Sequence, residues 1–227
     1  VGRVVDDVSY VLSSGDTLGI VGESGSGKSV HVLAMLGLLP KMAASRVQGS
    51  VLFEGRDLLA MSDVELREIR GNRIGFVFQD PMTSLNPVLT VGRQIAEPLR
   101  RHRGLSKAQA LARAAELLDL VGIRDARRRL SQFPHEFSGG MRQRVMIAMA
   151  MACEPSLLIA DEPTTGLDVT TQKTVMDLLT DIIAQRNMAL ILITHDLGLA
   201  GLYCQRIAVM ERGLKVEEAP PARLFGA

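Results

Sequence analysis

Two short stretches carry the residue types that handle phosphate. Gly22-Glu23-Ser24-Gly25-Ser26-Gly27-Lys28-Ser29 fills every fixed position of the pattern G-x-x-x-x-G-K-[ST]. Glycines at that spacing let a backbone wrap an anion with its N–H groups turned inward. The lysine reaches toward β- and γ-phosphates, and the Ser29 hydroxyl can ligate Mg2+. The second stretch, Leu157-Leu158-Ile159-Ala160-Asp161-Glu162, is an apolar run that ends in two carboxylates. Asp161 is placed to hold the Mg2+ shell. Glu162, one residue on, can polarise an attacking water as general base. An acidic pair after a strand is common at protein surfaces. Joined to the glycine loop, it defines a nucleotide site with the means to hydrolyse.

The elements that must position these groups surround them in the sequence. Leu18 to Val21 reads as an apolar strand feeding the glycine loop, and a helix from about Ser29 to Leu39, closed by Pro40, leaves it. That helix points its N-terminus, equivalent to about half a positive charge, at the same phosphate. Val51 to Phe53, a short helix with a capping box at Ser62 and Glu65, and Arg73 to Phe78 continue the alternation. From about Thr90 to Cys153 the pattern turns helical. Ser106 and Gln109 form a second capping box, and Leu111, Ala114, Ala115, Leu118 and Val121 one apolar face before Gly122. Leu157 to Ala160, Ala189 to Thr194 and Ile207 to Met210 are compact runs of buried-strand type. A helix from about Thr170 to Gln185, with Val175, Leu178, Leu179 and Ile182 on one face, separates the first two, and Arg212-Gly213 reads as a hairpin turn. The sum is an α/β sheet with a helical insertion.

Composition narrows the field. The chain has 227 residues, 47% of them hydrophobic, with a formal net charge of +1, which excludes disorder and a nucleic-acid binder driven by bulk charge. The longest apolar run, Val145 to Cys153, falls well short of the ~20 residues of a membrane span. Cys153 and Cys204 fit neither a disulfide framework nor a metal knuckle, and read as buried, reduced thiols.

Further segments follow in a fixed order, and together they resemble the ATP-binding subunit of an ABC transporter over essentially the whole chain. Phe137-Ser138-Gly139-Gly140-Met141 is similar to the ABC signature, and Gln79 sits where the Q-loop glutamine does. Thr165-Gly166-Leu167-Asp168 is similar to the D-loop, and His195 in Thr194-His195-Asp196 to the switch histidine. The wording of Phe78-Gln79-Asp80-Pro81-Met82-Thr83-Ser84-Leu85-Asn86-Pro87 and of Phe133-Pro134-His135-Glu136-Phe137 is typical of the oligopeptide, dipeptide and nickel importer branch. The resemblance implies a P-loop NTPase of the ABC ATPase type, with a mixed sheet core and a helical subdomain inserted at about residues 90–153.

It also implies a division of labour. ATP and Mg2+ would be held by residues 22–29, Asp161 and Gln79. Glu162, His195 and Gln79 would serve hydrolysis. Ser138, Gly139, Gly140 and Asp168 would act on the nucleotide or chain of a second ATPase subunit, identical or paralogous. Two transmembrane permease subunits, and through them a substrate-binding protein, would complete a peptide importer on the cytoplasmic face of a bacterial inner membrane. The alternatives within the same chemistry are import of nickel or another small solute, or a non-transport ABC ATPase. Phe137 and Met141 replace the family's usual Leu and Gln, while Ser138 and the glycines are intact. Relatives carry an extra strand, with an adenine-stacking aromatic, ahead of a strand near Val4. The opening Val1-Gly2-Arg3 and closing Phe225-Gly226-Ala227 therefore suggest a single nucleotide-binding domain, residues 1–227, trimmed at both ends. Tyr10 reads as a packing residue rather than a substitute for that aromatic.

The neutral total hides one asymmetry. Between Arg100 and Leu130 nine basic residues face three acidic ones, a surplus of six that leaves the remainder at −5. A solvated helical face is the simple account. Proximity to an anionic membrane leaflet is the functional one.

Overall fold

The computed structural model describes residues 4–40 and 47–226. Val1 to Arg3 and Ala227, where the sequence suggests trimming, lie outside the described residues. In chain order the strands are β1 (Thr17–Val21), β2 (Leu52–Phe53), β3 (Arg56–Asp57), β4 (Ile74–Val77), β5 (Leu157–Asp161), β6 (Ala189–Thr194), β7 (Arg206–Glu211) and β8 (Leu214–Ala219). The helices are α1 (Lys28–Met35), α2 (Asp63–Ile69), α3 (Pro81–Ser84), α4 (Val91–Arg103), α5 (Lys107–Leu120), α6 (Ala126–Arg129), α7 (Gly139–Ala150), α8 (Val169–Gln185), α9 (Leu197–Tyr203) and α10 (Pro221–Leu224).

Strand side chains point alternately to opposite faces, so the unbroken apolar runs of β5 and β6 demand cover on both sides. They receive it. Leu158, Ala160, Leu190 and Leu192 pack with Ile95, Leu118, Ile147 and Leu179 of α4, α5, α7 and α8. Leu157, Ile159, Ile191 and Ile193 pack with Leu18, Val32, Leu66 and Ile69 of β1, α1 and α2. The sheet order is β4-β5-β6-β1-β7-β8. Every pairing from β4 to β7 is parallel, and β8 returns antiparallel through the Arg212-Gly213 turn. Between β4 and β5 the described elements are helical throughout.

Several expected boundaries move, for local reasons. Helix α1 stops at Met35, before the expected end at Leu39, because Gly37 takes φ +61°. The N–H of Leu38 then reaches the carbonyl of Leu33 and that of Gly37 the carbonyl of Ala34, a Schellman ending that leaves Pro40 nothing to terminate. Helix α7 ends at Ala150, three residues short of Cys153, and Glu154 follows in the left-handed region at φ +51°. On α5 the buried set is Ala110, Ala114, Ala115, Leu117 and Leu118, with Leu111 only partly covered; on α8, Leu178 is likewise partly covered. No strand forms among residues 4–13. Asp7 at φ +49° breaks the extension there, and the segment makes single hydrogen bonds instead, such as Asp6 N–H to the Gly213 carbonyl at 2.7 Å. Tyr10 packs inward against His31 and Met35. Both cysteines are buried and unpaired.

The basic segment is less uniform than its count suggests. Arg129 donates to the Arg124 carbonyl and to Gln132, and lies 5.7 Å from the centre of the Phe137 ring. Arg113 pairs with Glu116 and Glu154, the latter also meeting Arg186, so the helical segment is tied to the end of α8. Arg103 donates to the Cys153 carbonyl. Arg100, Arg101, Lys107, Arg124, Arg127 and Arg128 remain as exposed cations.

Candidate functional site

The parallel register sets the site. Val21 lies opposite Thr194, and Asp161 opposite Ile193, so β1, β5 and β6 end level with one another. The next residues on each strand are Gly22, Glu162 and His195, and Gln79 follows β4 on the same edge. Ligand sites of open α/β sheets lie outside these carboxyl ends. A pocket of about 630 Å³ opens there, lined by residues that include Gly22, Glu23, Ser24, Gln79, Glu162 and His195.

The glycine loop is closed on itself by packing. A Cβ on Gly22 would sit 2.1 Å from the Met210 carbonyl and 2.8 Å from Ser26 Oγ, so only glycine fits between β7 and the loop. Lys28, buried at 5% exposure, donates from Nζ to the carbonyls of Gly22 at 2.7 Å and Glu23 at 2.9 Å. Its ammonium thus lies over the loop mouth. Ser26 Oγ is buried with no hydrogen-bond partner among the described residues, a polar atom suited to a phosphate oxygen. Gly25 has open space beside it. Ser29 Oγ donates to Asp161 Oδ1 at 2.9 Å. Hydroxyl and carboxylate oxygens are the hard donors that Mg2+ takes, usually only one or two from the protein, with phosphate and water supplying the rest. The residues fit that ion. Burial pushes the Asp161 carboxyl above its ordinary range, the Ser29 hydrogen bond opposes this, and the nearby Glu162 charge adds to it.

Glu162 is the most constrained group. Its backbone takes φ +46°, and its N–H donates to the Ile193 carbonyl at 2.8 Å. Its side chain is 16% exposed. Oε2 accepts from Gln79 Nε2 at 3.0 Å and from Thr165 Oγ1 at 2.9 Å, while Oε1 lies 3.3 Å from His195 Nδ1. A half-exposed contact of this kind contributes well under ~1 kcal/mol to folding, so its value is orientation. Thr165 is the participant that motif reading passes over as part of a loop. Its signal is the Glu162-Pro163-Thr164-Thr165 turn, in which the Thr165 N–H returns to the Glu162 carbonyl at 3.1 Å.

The remaining candidates gather elsewhere. Ser138 caps α7 by accepting the Met141 N–H, and Gly139 and Gly140 open that helix. A Cβ on Gly140 would meet Thr171 Cγ2 at 2.6 Å, so the signature packs against the start of α8. Asp168 caps α8, with Oδ1 accepting the Thr171 N–H at 3.0 Å and Oδ2 its hydroxyl at 2.7 Å; these bonds hold its carboxyl below the ordinary range. Ser138, Gly139, Gly140 and Asp168 form no part of the pocket lining.

A glycine loop between a parallel strand and a helix, with a buried Asp and an oriented Glu at the end of β5, one strand removed from β1, defines a P-loop ATPase core. The family model described as ABC transporter matches residues 5–165. The probable peptide ABC transporter ATP-binding protein y4tR of Sinorhizobium fredii is 56% identical over 225 residues, covering 99% of this chain and 67% of its own length. The oligopeptide transport ATP-binding protein OppD of Haemophilus influenzae is 49% identical, covering 97% and 68%. Among solved structures, the dimeric ATP-binding cassette MJ0796 in a post-hydrolysis state bound to ADP and Pi superposes with a TM-score of 0.83 at 31% identity, covering 96% of this chain and 90% of that one. The chain belongs to the ABC transporter family, as an ATP-binding cassette. Among the described residues no helix is long and apolar enough to cross a membrane.

Proposed function

We propose that this chain is the ATP-hydrolysing subunit of a peptide importer. The observation that carries the hydrolytic part is Glu162, a carboxylate at a strand end held between Gln79, Thr165 and His195. The peptide cargo rests on the names of the relatives, including y4tR and OppD.

Residues 22–27 wrap the phosphates with backbone N–H groups, and Lys28 exchanges the loop carbonyls for phosphate oxygens. Ser29, Asp161 and Gln79 would hold Mg2+, which would supply charge neutralisation on the β- and γ-phosphates. Glu162 orients and deprotonates the attacking water, and His195 contacts the γ-phosphate from the opposite side of the carboxylate. The helical segment 90–153 acts as an inserted subdomain that presents Ser138, Gly139 and Gly140 to ATP on a second ATPase subunit. That none of them lines this chain's own pocket supports that reading, as does the dimeric state named for the MJ0796 cassette. Asp168, at the start of α8, faces the same partner. Closure of the two subunits on ATP then drives two permease subunits fed by a substrate-binding protein, with the chain peripheral on the cytoplasmic side of the inner membrane.

Glu162→Gln tests the core of this. ATP binding is expected to stay within about threefold of wild type, while steady-state hydrolysis falls at least about 100-fold, the scale of a lost general base. Wild-type turnover in that variant would remove Glu162 from the mechanism.

A further inference from the structure

The phosphate loop has a second support that the hydrolytic residues do not use. His31, in the first turn of α1, is buried at 7% exposure. Its backbone N–H donates to the Gly27 carbonyl at 3.1 Å, and its ring Nδ1 lies 3.4 Å from the same oxygen. On the far side, Nε2 is 3.1 Å from Tyr10 Oη, with the two rings edge to face at 5.8 Å and 86°. Tyr10 Oη also lies 3.2 Å from Met35 Sδ on the same helix, and the single hydroxyl proton serves one of these two acceptors. The ring meets a carbonyl oxygen on one side and a hydroxyl on the other, partners that suit a neutral imidazole. A neutral imidazole has one donor and one acceptor. With Nδ1–H donating to the Gly27 carbonyl, Nε2 accepts the Tyr10 hydroxyl proton, and both ring nitrogens are satisfied.

The consequence lies in the peptide between Gly27 and Lys28. In a trans peptide the C=O and N–H point in opposite directions. Two donors from His31 fix the Gly27 oxygen toward the helix. They therefore fix the Lys28 N–H outward from the helix start, where the first-turn amides of a helix are unpaired and bind anions.

We infer that His31, braced by Tyr10, is a positioning residue for the nucleotide phosphates, acting through the Gly27–Lys28 peptide. The inference rests on the ATP-site reading above and deepens it. The Nδ1 contact is long, so the effect is modest. Removing one such bond costs about three- to tenfold in nucleotide affinity rather than the site itself.

The test uses the full chain and three replacements of one residue. His31→Leu keeps bulk and loses both polar contacts. His31→Asn places an amide N–H near the position of Nδ1 and drops the Tyr10 contact, while His31→Gln favours the Tyr10 side. Mg·ATP affinity is titrated with a fluorescent ATP analogue, and unfolding is followed without nucleotide. The expected result is about three- to tenfold weaker binding in the Leu and Gln variants, with recovery in Asn. Wild-type affinity in Leu and Gln, or equal loss in Leu and Asn, overturns the inference and leaves His31 a packing residue. Should His31→Leu fail to fold, Tyr10→Phe carries the test, since it removes only a hydroxyl. Weakened binding then supports the bracing, and wild-type binding overturns it. Lys28→Ala is measured alongside. If it binds ATP as wild type does, the site reading itself fails; if it alone loses binding, only the role of His31 fails.

Discussion

Replacing Asp161 with Asn is expected to stabilise the nucleotide-free protein while weakening its Mg·ATP site. The carboxyl is 7% exposed at the end of β5, and burial raises its pKa above the ordinary 3.8, with the Glu162 charge pushing the same way. Ser29 and Lys28 oppose the shift without cancelling it. A raised folded-state value means that the fold prefers the protonated form. The stability this group contributes is full below 3.8 and is lost as pH rises through its folded value. At neutral pH the wild type therefore carries a buried charge, and Asn does not. Asn also keeps an oxygen for the Ser29 hydroxyl, which now donates at 2.9 Å. Relief of one such charge is worth on the order of 1 kcal/mol, about 2–4 °C in Tm for a chain of this size. The gain is largest near pH 7.5 and closes as pH falls toward the carboxyl's folded value. Calorimetry in EDTA at two pH values reads the stability. Titration of ATP with and without Mg2+ reads the site, where a loss of about 10–100-fold in Mg2+-dependent affinity is expected. A lower Tm in EDTA at both pH values would refute the reasoning, because the carboxylate would then be a net stabiliser of the fold.

Two further outcomes follow from the geometry. Thr165→Val removes the hydroxyl that reaches Glu162 Oε2 at 2.9 Å, so kcat should fall by about tenfold with ATP affinity unchanged in single-turnover and titration experiments. An unaltered kcat would show that Gln79 and His195 suffice to orient the carboxylate. Arg127→Glu with Arg128→Glu reverses two exposed charges on α6 and spares Arg129, whose guanidinium is committed to Arg124, Gln132 and Phe137. Weaker co-purification with the permease at unchanged ATP binding is expected, and full recovery of the complex would leave α6 a solvated face.

What the sequence made legible were the features set by local pattern. The strand Ala189–Thr194 falls where its apolar run predicts, and the capping boxes at Ser62 and Ser106 form with both partners in place. The glycine loop and the Asp161-Glu162 strand end were readable because fixed spacing encodes their chemistry. Features set by competition between local signals were not. Pro40 reads as a helix stop, yet Gly37 acts first because its left-handed backbone completes the Schellman bonds. The resemblance implies a strand near Val4, but Asp7, at φ +49°, turns the chain out of extension. Contacts between distant segments leave no periodic trace at all, as with Gln79 on Glu162 across 83 residues or Tyr10 on His31 across 21.

The left-handed backbone at Glu162 has a consequence for how that position can be interrogated. Glycine, asparagine and aspartate enter φ near +46° readily, whereas branched residues resist it by about 1–2 kcal/mol. A saturation scan at position 162 therefore measures two quantities at once, the chemistry of the side chain and the tolerance of the chain for its own curvature. Valine or isoleucine there would drag on the bond from the Glu162 N–H to the Ile193 carbonyl, and so on the end of β6 that leads into His195. Asparagine and glycine lose the carboxylate without that distortion. The spread between the two groups of substitutions, rather than the depth of any one of them, separates what the carboxylate does from what its mounting does.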